Sequence, residues 1–105
     1  MGFELKTKVE EKIIVKAIGE LDIFATDEFK EKISEIYKEN KLDILFDFEK
    51  LDYIDSTGLG SLIFIYKEMV KDNKKIELIN VKPNIRKLFL ITKLDQMFEI
   101  RWRHG

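Results

Sequence analysis

Cysteine is absent from the 105 residues, so no disulfide, thiolate nucleophile or thiolate metal site can be built. Proline occurs once, at Pro83, and glycine five times, which leaves no Pro- or Gly-rich linker to divide the chain. The single histidine, His104, stands next to the last residue, where order is least expected, so a Ser-His-Asp arrangement lacks a well-placed base. Any metal site would have to be made of carboxylates, and no metal or cofactor is implied. An excess of either charge is missing too. Lys and Arg number 19 against 20 Asp and Glu, a formal net charge of -1 that offers a nucleic acid no general attraction. No apolar run approaches the roughly 18 residues of a membrane-spanning helix. The N-terminus alternates charges where a signal peptide would have an apolar centre. Met1-Gly2 opens like a myristoylation site, but Lys6 fills the position that needs a hydroxyl. The expected location is the cytoplasm, without membrane or nucleic-acid partners.

What is present is an ordinary globular composition, 45% hydrophobic and 37% charged. The length suits one domain, 1–105, around one core. Phe3, Leu5, Thr7 and Val9 alternate with charged residues, the period of two of a half-buried strand at a sheet edge. Ile13 to Ile18 is apolar on both faces and reads as a more central strand hairpinned to the first. A loop over residues 20–25 leads to Thr26, read as the cap of a helix with the stripe Phe29, Ile33, Ile36 and Tyr37. Leu42 to Phe48 reads as a third strand, parallel to the second because a helix joins them. Residues 49–53 read as a loop. Beyond it, Leu59, Leu62, Ile63, Tyr66, Met69 and Val70 form the stripe of a long helix. A strand over Ile76–Val81, a short helix opened by Pro83 and a last strand with Phe98, Ile100 and Trp102 complete the chain. The fold class is α/β: a mixed four- to five-stranded sheet with helices packed against it.

The chain is organised around Tyr53-Ile54-Asp55-Ser56-Thr57-Gly58-Leu59-Gly60, which joins strand-like residues to the start of the long helix. A helix start carries unsatisfied N–H groups and partial positive charge, so it suits a Ser or Thr cap, worth about 1 kcal/mol, and can also hold a phosphate. Gly58 and Gly60 suit close packing of helix on sheet. On spacing alone, capping and packing account for the run. Further along the helix, Phe64 lies nearly opposite the apolar stripe, an exposed aromatic of the kind that anchors partners.

The run Asp-Ser-Thr-Gly-Leu-Gly, after apolar Ile54 and before an apolar-striped helix, resembles the signature of the STAS-domain anti-sigma-factor antagonists, and the likeness spans nearly the whole chain. In that family the Ser after the Asp is the phosphoacceptor, which the resemblance transfers to Ser56, with Thr57 in a tolerated hydroxyl position. Asp22, in Gly19-Glu20-Leu21-Asp22, matches an acidic position near the phosphoacceptor; its alternative is local backbone hydrogen bonding. Asp22, Asp55, Thr57, Gly58, Leu59, Gly60 and Phe64 are thus candidates for partner or nucleotide binding. The resemblance implies a non-enzymatic regulator. When unphosphorylated it binds an anti-sigma factor that is also a GHKL-type serine kinase, and a PP2C-type phosphatase resets it. A ligand- or nucleotide-sensing module, or a part of a larger signalling or transport assembly, is the alternative.

Enzymatic readings fit less well. An aspartic protease would need Asp55 separated from Gly58 by one hydroxyl residue rather than two, and a mostly β chain. No GxxxxGK phosphate loop is present, so strong nucleotide hydrolysis is not expected, and weak nucleotide binding stays open.

Overall fold

The computed structural model describes residues 2–102, without the side chain of Trp102; His104 and the end of the expected single domain lie outside the described residues. The order is β1 (Phe3–Val9), β2 (Ile13–Leu21), α1 (Thr26–Asn40), β3 (Ile44–Asp47), β4 (Leu51–Ile54), α2 (Ser56–Val70), β5 (Ile76–Val81), α3 (Pro83–Thr92) and β6 (Glu99–Trp102). The sheet runs β1-β2-β3-β5-β6, antiparallel between β1 and β2 and parallel elsewhere, as a mixed α/β sheet requires.

Alternation builds the core. Ile13, Val15 and Ala17 of β2, Ile44 and Phe46 of β3, and Ile76 and Leu78 of β5 share one fully buried face. Their neighbours Ile14, Ile18, Leu45 and Ile79 point the other way and are only half-buried, so the helices cover one face of the sheet. Phe29 and Ile33 bring α1 onto that face, with Phe29 5.7 Å from the Phe46 ring and 6.0 Å from that of Phe3. Ile85 and Phe89 do the same for α3, and Phe98 joins Phe89 to Tyr66 of α2 through edge-to-face contacts.

The residues read as a loop before the motif contain a sixth strand. Because β1 occupies one edge of β2 from Ile13 to Gly19, β4, whose pairing starts at Gly19, lies on the same edge as β3, and the two run end to end past a break at Phe48–Lys50. The Asp47 carboxylate turns that break by accepting from the Glu49 N–H at 3.0 Å. Opposite it, Gly19 adopts φ +100°, and the β2–β4 register shifts between Gly19 and Glu20. That shift spoils the period of two: in β4 the buried residues are Leu51 and Ile54, three apart.

Three smaller expectations are corrected. On β1 only Phe3 and Leu5 are half-buried, whereas Thr7 and Val9 are exposed because the strand outruns the helices behind it. The cap position of α1 is Ala25, and Thr26 is its first helical residue. On α2, Val70 is exposed while Ile65 and Ser61 are buried; this helix is apolar around most of its circumference, and contacts with α1 and Phe98, rather than periodicity, choose the inward face.

Phe29→Ala should cost about 3–5 kcal/mol, because it empties the ring contact between α1 and the sheet. Urea unfolding followed by circular dichroism measures this.

Candidate functional site

Three segments meet at the ends of the parallel strands β2 and β4: Leu21 and the loop after it, Ile54, and the first turn of α2. Their closest approach is at Gly58. A Cβ there would stand 2.5 Å from the Leu21 carbonyl oxygen and 2.7 Å from Ile54 Cγ1, so this position has no room for a side chain. A Cβ at Gly60 would meet nothing within 4 Å. Of the two glycines, only Gly58 serves packing.

The cap of α2 is Asp55, not a hydroxyl residue. Its Oδ1 accepts from the Gly58 N–H at 3.0 Å and from the Thr57 hydroxyl at 2.6 Å. Partial burial pushes the Asp55 carboxyl up. The Thr57 hydroxyl and the N–H groups of Gly58, Thr57 and Ile23 outweigh that effect and hold it below the usual carboxylate range. The Thr26 hydroxyl, which donates to the Asp22 carbonyl at 2.7 Å, lies 3.2 Å from that of Thr57, whose own proton goes to Asp55, so the two hydroxyls are in contact and the loop after β2 packs against the start of α2. Asp22 supports this loop from within, accepting from the N–H groups of Phe24 at 3.0 Å and Ala25 at 3.2 Å.

Ser56 is the exception. It is the first residue of α2, exposed, and its hydroxyl has no hydrogen-bond partner among the described residues. Thus two adjacent hydroxyls differ in state, one engaged at Thr57 and one available at Ser56.

A family model of the STAS domain matches residues 4–104. The chain belongs to the STAS-domain anti-sigma factor antagonist family. The anti-sigma-B factor antagonist of Staphylococcus aureus (strain NCTC 8325 / PS 47) is 30% identical over 101 residues, which are 95% of this chain and 94% of that protein. The structure of the anti-sigma factor antagonist SpoIIAA in its unphosphorylated form matches with a TM-score of 0.72 at 26% identity, covering 99% of this chain and 89% of that one. The Bacillus cell fate determinant SpoIIAA in its phosphorylated form also matches with a TM-score of 0.72, at 28% identity, over 94% and 90% of the two chains.

In this STAS domain the candidate residues separate by position. Asp22, Asp55, Thr57 and Gly58 come together around Ser56, but Gly58 and Leu59 are buried and act by seating the helix. Ser61, also buried, donates to the Gly58 carbonyl at 2.6 Å. Gly60 and Phe64 face outward beyond Ser56 at successive spacings of four, on one line of the helix. Phe64 is 46% exposed, with the Lys30 ammonium 5.2 Å from its ring centre. Asp52, the other carboxylate close by in sequence, is paired with Lys82 at 2.6 Å. From sequence Thr26 reads only as a helix cap, and the exposed Ile23-Phe24 pair is not singled out. An apolar dipeptide between Asp22 and Thr26, in a segment read as loop, was the available signal.

A hollow of about 370 Å³ beside the loop is lined by Gly2, Phe3, Glu20, Asp22, Phe24 and Glu28. Three carboxylates and no cation line it, which disfavours a nucleotide's phosphates. Among the described residues no cluster of His, Cys, Asp or Glu is placed to hold a metal ion, and no helix is long and apolar enough to cross a membrane.

Gly58→Ala should destabilise the STAS domain by about 1–3 kcal/mol, whereas Gly60→Ala should be neutral or stabilising by up to about 1 kcal/mol; thermal melts of the pair test the contrast. Asp55 also gives a pH signature. Because its folded pKa is depressed, its contribution is present above the unfolded value near 3.8 and is lost as pH falls through the folded one. Asp55→Asn keeps a capping oxygen without the titration. The stability advantage of wild type over Asp55→Asn in urea should therefore shrink below about pH 4.

Proposed function

We propose that this protein is an anti-sigma factor antagonist whose partner binding is switched off by phosphorylation of Ser56. The observation that carries the reading is the difference between the two hydroxyls. A kinase finds Ser56 exposed and unengaged, while the Thr57 hydroxyl already donates to Asp55.

A phosphate on Ser56 adds about -1.5 to -2 charges at pH 7. The fold tolerates it, because the new charge sits at the start of α2, where the helix dipole favours anions. The neighbouring Asp55 carboxylate is occupied by hydrogen bonds, and the Asp52 charge is balanced by Lys82. The match to both forms of SpoIIAA supports a fold that accommodates the group. A regulator docked over the bare helix start has to bury this dianion or leave. Each 1.4 kcal/mol of that penalty weakens binding about tenfold. Gly60 supports the same surface from another side, since it leaves helix backbone uncovered between Ser56 and Phe64, where a partner can approach closely. Asp22 holds the adjoining loop in place.

In this reading the partner is an anti-sigma factor with GHKL-type serine kinase activity, which phosphorylates Ser56 and so releases itself. A PP2C-type phosphatase restores the binding form. The chain acts in the cytoplasm as substrate and regulator and performs no catalysis. Nucleotide sensing has no specific observation in its favour, given the acidic hollow beside the loop.

Incubation with the cognate kinase and ATP should add the mass of one phosphate, abolished by Ser56→Ala and retained by Thr57→Val. The phosphorylated form should bind the kinase at least about 100-fold more weakly than the bare form, which corresponds to about 3 kcal/mol. Labelling that persists in Ser56→Ala, or equal binding of the two forms by calorimetry, overturns the reading.

A further inference from the structure

Strand β1 leaves one long side of its backbone without a partner. In an antiparallel pair, residues that exchange hydrogen bonds with the neighbour alternate with residues whose N–H and C=O point away from it. The Glu20 N–H donates to the Gly2 carbonyl at 3.2 Å and the Glu10 N–H to the Lys12 carbonyl at 2.9 Å, so the even-numbered residues of β1 bond to β2. Phe3, Leu5, Thr7 and Val9 therefore turn their backbone groups outward. The β1–β2 register runs from Phe3–Gly19 to Val9–Ile13 without a shift, and β1 contains no proline, so neither a bulge nor a missing N–H blunts this edge.

Two charges on β1 lack counter-charges as well. On the sheet face away from the helices, Lys6 stands directly opposite Lys16 of β2, and Glu4 stands opposite Ile18. Facing like charges repel, and a carboxylate beside an isoleucine gains no attraction. Asp47, Glu49 and Lys50 line a small hollow with Lys6 and Lys16, yet neither carboxylate comes within ion-pair distance of Lys6. Glu4 has no ion pair among the described residues either, whereas Lys8 is held by Glu10 at 2.8 Å. Each of Glu4 and Lys6 thus lacks what the other carries.

We infer that a second copy of this chain pairs with this edge, β1 against β1 antiparallel across a two-fold axis, with Leu5 facing Leu5. The outward backbone groups also allow centring on Glu4, Lys6 or Thr7, and charge selects among these registers. Centring on Glu4 sets that carboxylate against itself, and centring on Thr7 sets Lys6 against Lys8. Centring on Lys6 sets that ammonium against itself and offers Glu4 only Lys8, which Glu10 already holds. Centred on Leu5, Glu4 of each copy faces Lys6 of the other, Lys8 faces Gly2, and no like charges meet. The lysines of this edge exclude the wrong registers rather than pairing itself. On the helix side Phe3 comes beside Thr7 of the second copy, and three backbone pairs exchange about six hydrogen bonds. Helix α1 leaves room for this. Its Phe29 stands between Phe3 of β1 and Phe46 of β3, so α1 lies over β2. The two β2 strands would be three strand spacings, about 14 Å, apart, more than the roughly 8–10 Å of packed helices. The contact is isologous and closes at a dimer, and its small area makes it weak. No residue of the switch lies on β1, so the inference stands apart from the proposed function.

Sedimentation velocity of the full chain at concentrations up to about 1 mM tests it. The weight-average mass should rise from monomer toward dimer and no further. Glu4→Lys and Lys6→Glu should each weaken dimerisation at least about tenfold. Circular dichroism should show both folded, as their exposed positions require. The double variant, and an equimolar mixture of the two single variants, should recover the dimer, because each restores opposite charges across the axis. The chain lacks cysteine, so introduced thiols report the register. Facing residues that share no hydrogen bonds stand about 4.5 Å apart at Cα, within reach of a disulfide. A mixture of Glu4→Cys and Lys6→Cys should therefore oxidise to a mixed disulfide, and neither variant alone should crosslink to itself. A wild type that stays monomeric, single variants that dimerise as wild type does, a double variant that stays monomeric, or self-crosslinking without the mixed product overturns the inference. So does a mass that climbs past the dimer, an outcome that would give the β1 edge to the β6 edge of the next copy.

Discussion

Helix α2 can be seated where it is because residue 58 has no side chain. The Leu21 carbonyl closes from β2 and Ile54 closes from β4, at distances no Cβ could share, and the bare backbone of Gly58 fills the gap. Both neighbours are themselves fully or almost fully buried, so neither can withdraw without opening the core. From that contact the rest of the motif follows. Asp55 is left just outside the helix with its carboxylate aimed back at the first turn, and Ser56, one residue on, is turned to solvent.

The residues of the motif thereby divide into those that hold the fold and one, Ser56, left available for the proposed switch. Asp55 takes the Thr57 hydroxyl, Thr26 satisfies the Asp22 carbonyl, and the contact of the two threonines packs the loop against the helix start. Ser56 contributes nothing to that network, so its chemistry can change while the network stays intact. Under the proposed function, such a surface changes its charge without changing its shape.

Much of this was legible in the sequence. The hairpinned strands β1 and β2, the stripe of α1, the single proline opening α3 and the helix start at the Asp-Ser-Thr-Gly-Leu-Gly run are each marked locally, and the fold keeps them. What escaped reading was decided by tertiary contacts. Strand β4 has its buried residues three apart because a bulge at Gly19 breaks the register, so no period of two survives. The inward face of α2 could not be chosen by periodicity when Ile63, Phe64, Ile65 and Tyr66 follow one another; packing buries Ile65 and leaves Phe64 out. The cap was misassigned to a hydroxyl because Asp, Ser and Thr are all good caps, and only the helix start itself tells Asp55 from Ser56. Thr26, read as a cap, is instead the bridge from the loop to Thr57, a pairing across 31 positions that no local pattern encodes.

The emptiness around Gly60 has an evolutionary consequence. Substitutions at Asp55, Thr57 or Gly58 disturb the hydrogen bonds or the packing that seat α2. At position 60 a new side chain would project into open space, two residues from a glycine that tolerates none. If the proposed docking surface holds, duplicated copies of such a domain can diverge there to recognise different regulators, insulating parallel pathways from cross-talk, while the core packing beneath is left untouched.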